Sequence, residues 1–361
     1  MITQTEPLRI LSSYEEAFLP AGEDLLFFDI ETTGLSAKTS ALYLIGAITR
    51  QQNIWRLTQW MAQSPKEECA LLEAFQDFAA SYSRLIHFNG TTFDLPYLRR
   101  KYAHYGLRFT LDEKNSLDLL QRIRPVKKIL CLERLNQTSL ETFLGIQRED
   151  TMDGGRLIPV YHQYVSSHSP ELGRLLLLHN HDDLVGMTKL LPMLSYPDLF
   201  AGKFQVSGCE LGEEHPDSFS LIFHLKLEHA VPKPLSCKLT YGYLKARGAQ
   251  ALLLVPGYKG ILKHFFPNYK DYYYLPLEDT AIHKSVGAYV DREHREQAKA
   301  STCYIQKPGA FLPCASILAN RFSLFQAEYG SSVTYLECTP DFLSDTALQL
   351  VYCRSLCSLP D

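Results

Sequence analysis

The pattern of hydrophobic and polar positions divides this chain into two halves of different character. Residues 24–30, DLLFFDI, form a short apolar, aromatic run that ends at a polar cluster, which predicts a buried strand. ETTGLSAKTS follows as a Gly/Ser/Thr loop. ALYLIGAIT at 41–49 and NIWRLTQW at 53–60 predict two more strands, and three strands in quick succession predict an antiparallel meander. Within 66–82, Leu71, Leu72, Phe75, Phe78 and Ala79 recur at helical spacing. A strand at 83–90 (SRLIHFNG), a helix over 93–105 and a further unit beginning at 115–123 (NSLDLLQRI) come next. TSLETFLG at 138–145 predicts a helix started by Thr138 or Ser139 and stopped by Gly145. A long helix over 170–194 opens with Pro170 and closes near Pro192. Strands followed by alternating helices and strands predict an α/β fold with a sheet of mixed direction.

After about residue 197 the pattern changes. SFSLIFHLKL, LSCKLTYGYLKA, QALLLVPGY and KDYYYLPL are β-prone segments parted by Pro/Gly turns, with a short helix expected over 291–300. A length of 361 residues suits about two domains. The expected division is an N-terminal extension over 1–23, an α/β domain over 24–197 and a smaller β-rich domain over 198–361.

Composition narrows the class. The chain is 46% hydrophobic and 21% charged, ordinary for a globular protein with a sizeable core. No apolar run approaches the ~18–20 residues of a membrane helix, so no membrane partner is expected. The start, MITQTEPLRILSSYEEAFL, lacks the basic-then-apolar order of a signal peptide. Nine Cys, an odd number without a Cys-x2-Cys pair, point to reduced thiols and a cytoplasmic protein. Cys353 and Cys357 lack the other ligands of a zinc site. The net charge of −4 counts against a nucleic-acid binder, but the average hides an asymmetry. Residues 231–307 hold twelve Lys/Arg against six Asp/Glu, a local +6, whereas residues 1–200 hold twenty against twenty-four. The basic stretch could attract a phosphate backbone, and the acidic half would need metal ions to meet one.

Three acidic segments are candidates for that role. Asp29 and Glu31 end a predicted strand, and period-2 alternation puts both on one face. Read alone, the pair suits a turn as well as a cation site. Asn89-Gly90-Thr91-Thr92-Phe93-Asp94 follows a strand and leads into a helix, where a simple N-cap would suffice. His179 and Asp183 are four apart on the long helix and share a face, as an exposed polar patch also would.

Taken together, in this order, the segments resemble the DEDD (DnaQ-like) 3′–5′ exonuclease superfamily. The matching residues are Asp29-Ile30-Glu31-Thr32-Thr33-Gly34, Asn89 through Phe93-Asp94, and His179 with Asp183. HFNGTTFDLPYL, LDLL and HNHDDL resemble the YprB-type bacterial branch, and the likeness spans about residues 24–194. The resemblance implies a ribonuclease H-like mixed five-stranded sheet with helices. It also implies phosphodiester hydrolysis with two Mg²⁺ or Mn²⁺ ions. Asp29, Glu31 and Asp183 would hold one ion, and Asp29 and Asp94 the other. His179 would take the proton of the attacking water, while Thr32, Thr33, Leu35 and Asn89 would line the terminal nucleotide of a single-stranded 3′ end of DNA or RNA. The superfamily places a Tyr four residues, or a His five residues, before its last Asp. Here a His stands at the Tyr-type spacing. Asp182 is a substitute ligand, and Asp118 either supports the cluster or caps a helix. An endonuclease on the same fold, and a nucleic-acid-binding module with weak or lost catalysis, are the competing readings.

Two features of the second half stay open. KHFFPNYKDYYYLPLEDTAIHKS mixes rings and cations as nucleic-acid surfaces do, but also as a core strand flanked by Lys does. Asp279 and His283 would be i, i+4 if that stretch were helical.

Overall fold

Alternation in the first apolar run decides what each face of the first sheet carries. Strand β2 (Leu25–Thr32) sends Leu26, Phe28 and Ile30 into one core cluster with Leu71, Leu72 and Phe75. Its intervening positions, Asp29 and Glu31, face the opposite side. Full burial of an aliphatic or Phe side chain contributes about 1.5–3 kcal/mol, so three of them offset the desolvation of two carboxyls on the same strand.

The computed structural model describes residues 1–149 and 154–358. The chain falls into two units, Met1–Pro197 and Asp198–Asp361. In the first, the elements run β1 (Ile2–Leu8), α1 (Ser13–Glu16), β2, β3 (Leu42–Gln51), β4 (Ile54–Met61), α2 (Glu68–Ala79), β5 (Arg84–His87), α3 (Asp94–His104), β6 (Asn115–Asp118), α4 (Leu119–Ile123), α5 (Gln137–Leu144), α6 (Gly154–Ser167) and α7 (Pro170–Lys189). One sheet of order β1-β4-β3-β2-β5-β6 joins the strands. β2, β3 and β4 form the expected antiparallel meander, and β2, β5 and β6 pair in parallel.

The sheet has six strands where the resemblance implies five. The sixth is β1, in residues read as an extension, which pairs antiparallel with β4 along its whole length. Its side chains are mostly exposed, so it lacks an apolar signal, and Pro7 is tolerated because the strand lies at an edge. Helix α5 is capped by Asn136, whose side chain accepts the Ser139 amide, rather than by Thr138 or Ser139; Gly145 ends it in the left-handed region. The long helix stops at Lys189 and tightens into a 3₁₀ turn over Leu191–Leu194, because Pro192 cannot extend it.

Helices cover both sheet faces. Leu98 and Tyr102 of α3 join Leu71, Leu72 and Phe75 of α2 over Leu26, Phe28 and Ile45. On the other face Leu157 and Tyr161 of α6 and Leu176 of α7 pack on Tyr43, Leu44 and Met61.

The second unit is antiparallel. Its main sheet has the order β14-β15-β13-β9-β8-β7, from β7 (Phe204–Glu214), β8 (Ser218–Leu239), β9 (Gly242–Phe265), β13 (Tyr304–Cys314), β14 (Leu324–Phe325) and β15 (Thr334–Glu337). β10 (Tyr272–Leu275), β11 (Thr280–His283) and β12 (Glu296–Gln297) form a small second sheet. The helix expected over 291–300 is only a 3₁₀ turn, Arg292–His294. Among the described residues, no helix is long and apolar enough to cross a membrane.

Candidate active site

Asp29 lies opposite Gly46 in the β2–β3 ladder, and the missing side chain there is what lets α7 approach. A Cβ on Gly46 would stand 2.0 Å from Asn180 Oδ1. Asn180, fully buried, donates from Nδ2 to Asp29 Oδ2 at 3.1 Å. Its own Oδ1 accepts from Gln59 Nε2 at 2.9 Å, and Gln59 Oε1 accepts from Gln4 Nε2 at 2.8 Å. A relay of amides from the edge strand thus orients the first carboxylate.

His179 and Asp183 of α7 complete the same side. His179 Nε2 lies 3.3 Å from Asp183 Oδ2 and 3.6 Å from Glu31 Oε1. Glu31, His179 and Asp183 present ligand atoms that all fall within 4.8 Å of one another. Arg148, just beyond α5, holds Asp183 Oδ1 through Nη2, and its Nε lies 3.0 Å from the buried Glu141. This leaves Asp183 Oδ2 turned toward the imidazole. Asp182 points elsewhere: it accepts the Glu149 amide at 2.8 Å. That removes it as the substitute ligand.

Asp94 arrives from the other side of β2. Asn89 takes φ 65°, and the turn it begins is braced by Asp118, which accepts the Asn89 and Thr91 amides at 3.0 and 3.1 Å. Asp118 also accepts the Gln121 amide as the cap of α4, so it supports the site by shaping this loop. His87 Nδ1 accepts the Gly90 amide at 3.1 Å, and burial pulls its pKa down to about 4. Asp94 then begins α3, buried.

Asp29, Glu31, Asp94, Asn89, His179, Asp183 and Arg148 line one open cleft of about 930 Å³. Burial pushes the Asp29 carboxyl up to about 7, against the pull of Asn180 and Arg148. Burial raises Asp94 well above the carboxylate range, and the nearby Asp29 charge adds to this. Carboxyls penalised by burial and by each other are the electrostatic counterpart of a divalent cation, whose charge would reverse both effects. The donors, hard oxygens with one imidazole, suit a divalent metal ion.

The remaining expected residues fall outside that cleft lining. Thr32 Oγ1 donates to the Gly34 carbonyl, Thr33 Oγ1 accepts the Ala41 amide, and Leu35 is exposed at the loop tip. Asn180, Gln59 and Arg148 went unassigned in the sequence. Gln59 had a signal, a polar residue among Trp55, Leu57 and Met61 on one strand face; Arg148 had none. Asp279 and His283 are not an i, i+4 helical pair, since His283 ends a strand; Asp279 is bound to Tyr274, Tyr304 and Gln306. Burial pushes the Cys353 and Cys357 thiols up, the latter to about 12.

Comparison with known proteins gives partial matches. The chain is 28% identical over 206 residues to the uncharacterized protein YprB of Bacillus subtilis (strain 168). The match covers 55% of this chain and 46% of that protein, so the chain spans about half the length of the curated relative it matches. Similar solved structures include the family B DNA polymerase of Pyrobaculum calidifontis, at 13% identity over 70% of this chain and 35% of that one, with a TM-score of 0.39. They also include a zinc-bound E. coli ExoI–ssDNA complex, at 14% identity over 55% of this chain and 54% of that one, with a TM-score of 0.31. The family model of the RNase_H superfamily matches residues 26–195. The matched stretch lies within the first unit, whose mixed α/β sheet with helices on both faces is ribonuclease H-like.

Proposed function

We propose that the first unit hydrolyses phosphodiester bonds of DNA or RNA with two Mg²⁺ or Mn²⁺ ions, removing nucleotides from a single-stranded 3′ end. The observation that carries this reading is the convergence of Asp29, Glu31, Asp94 and Asp183, from three separate stretches of chain, on one cleft with His179 among them. Asp29, Glu31 and Asp183 would hold one ion, and Asp29 with Asp94 the other. Bound there, such ions supply a more acidic water and neutralise charge on the phosphate.

The protein's own groups have distinct parts. Asn180 fixes which Asp29 oxygen faces the cleft, and Arg148 does the same for Asp183. His179 Nε2, turned toward the carboxylates, is the group that takes the proton of the attacking water. Its place four residues before Asp183 keeps it on the same face of α7 as that carboxylate. Asn89, at the cleft, Thr32, at the end of β2, and Thr33 and Leu35, just after it, would meet the terminal nucleotide.

End-labelled single strands incubated with the full chain and Mn²⁺ test the reading. Stepwise shortening is expected, abolished by chelation and reduced at least about 100-fold by Asp29→Ala. Equal shortening by Asp29→Ala would refute it. Cutting of a circular strand would move the reading to an endonuclease, and tight binding without turnover to a non-catalytic module.

A further inference from the structure

The β-rich unit holds two clefts that meet on one strand. β8 and β9 form a hairpin of 22 and 24 residues. Its register slips between Lys226 and Leu235, and Gly248 takes φ +57°. At the hairpin end, a Cβ on Gly242 would stand 2.6 Å from the Leu254 carbonyl oxygen, so the end of the hairpin curls against the middle of β9. Beyond the slip Leu235, Leu239, Leu244 and Ala246 are buried, whereas Lys238, Tyr243, Lys245 and Arg247 present their side chains away from that core.

Tyr241, Tyr243, Tyr258 and Tyr335 join Lys238 around a cleft of about 530 Å³. Lys226, Lys245 and Arg247 join His224 and Leu252 around a second cleft of about 810 Å³. Tyr243 borders the first and Lys245, two residues on, borders the second; the Lys245 ammonium lies 5.6 Å from the Tyr243 ring centre. Among the described residues, no carboxylate lines either cleft, in a chain whose net charge is −4.

We infer that these two clefts form one binding track for single-stranded nucleic acid. The cations match a phosphate backbone, and the tyrosine rings offer faces on which unpaired bases stack. A duplex would present phosphates but hide its base faces, so the ring-lined cleft selects the single strand. The track rests on the proposed function and extends it to the chain's other unit, and binding there needs no hydrolysis.

The test is fluorescence anisotropy of a labelled oligothymidylate and a labelled oligouridylate on the full chain. The chain carries Asp29→Asn and is kept in EDTA, so that nothing is cut. Tyr243→Ala and Tyr258→Ala are each expected to weaken binding at least about fivefold. The triple change of Lys238, Lys245 and Arg247 to Glu is expected to weaken it more and to flatten the slope of log affinity against log salt by about 2. Unchanged melting temperatures check folding; if the triple variant unfolds, Lys245→Ala alone carries the same test. Unaltered affinity in the tyrosine and lysine variants overturns the inference. So does a loss in the charge variants alone that an acidic peptide competes away, which would make the track a peptide site. Loss of cleavage in the separate Mn²⁺ assay leaves this result untouched, and the reverse also holds.

Discussion

Asp29 occupies a strand position whose neighbours on either side are buried hydrophobics, and the Asn180 side-chain amide and the Ile30 backbone amide meet its carboxyl. Hydrogen bonds to a charged group are worth about 1.5–3 kcal/mol each net, and burial outweighs them here, which is why the carboxyl stays raised. His87 is the mirror case. It is buried, its Nδ1 accepts an amide, and its folded pKa lies near 4 against an ordinary 6.5. The unfolded chain therefore binds a proton that the folded one refuses between those values. The stability His87 confers is complete above about pH 6.5 and declines as pH falls toward 4, by on the order of 3 kcal/mol. Denaturant melts at pH 7 and pH 5 should show a smaller acid loss for His87→Gln than for the unaltered chain. An equal loss in both would count against this assignment.

At the scale of elements, the site depends on how closely α7 lies against β3. Gly46 sets that distance, and Asn180, pinned by Gln59, cannot swing away from an added methyl group. Gly46→Ala should therefore cost about 1–3 kcal/mol in urea melts and depress cleavage further than stability alone accounts for. A fully active, equally stable variant would show that the helix has room to move. The same scale explains where sequence reading stopped. β2 and β3 as apolar runs, β4 as a short β-prone segment and α7 between Pro170 and Pro192 are legible, whereas β1 is an exposed edge strand and α6 carries Pro159 inside it. An edge strand lacks the alternation that marks a core-facing element, and an internal proline argues against a helix.

For the whole molecule, the acidic cleft and the cation-lined clefts belong to different units, so their responses should separate. A ligand that binds only the folded form stabilises it by about 2.7 kcal/mol at a hundred times its Kd. Mn²⁺ is expected to raise the calorimetric transition of the first unit and leave that of the second unmoved, and Asp29→Asn should abolish the rise. A rise that persists in Asp29→Asn would place the ion elsewhere.

The sequence by itself determined the local chemistry. It put Asp29 and Glu31 on one face of a strand, His179 and Asp183 on one face of a helix, and Asp94 at a helix start. Those placements follow from periods of two and of 3.6, which need only neighbouring residues. It also separated an α/β half from a β-rich one. The tertiary structure alone decided which groups compensate the carboxylates. Asn180 meets Asp29 across 151 positions and Arg148 meets Asp183 across 35, contacts that no local period encodes. It likewise decided that Asp182 turns away, that the first residues complete the sheet, and that four tyrosines scattered from 241 to 335 share one cleft. Each depends on which distant segments pack together, and that is set by burial across the whole core.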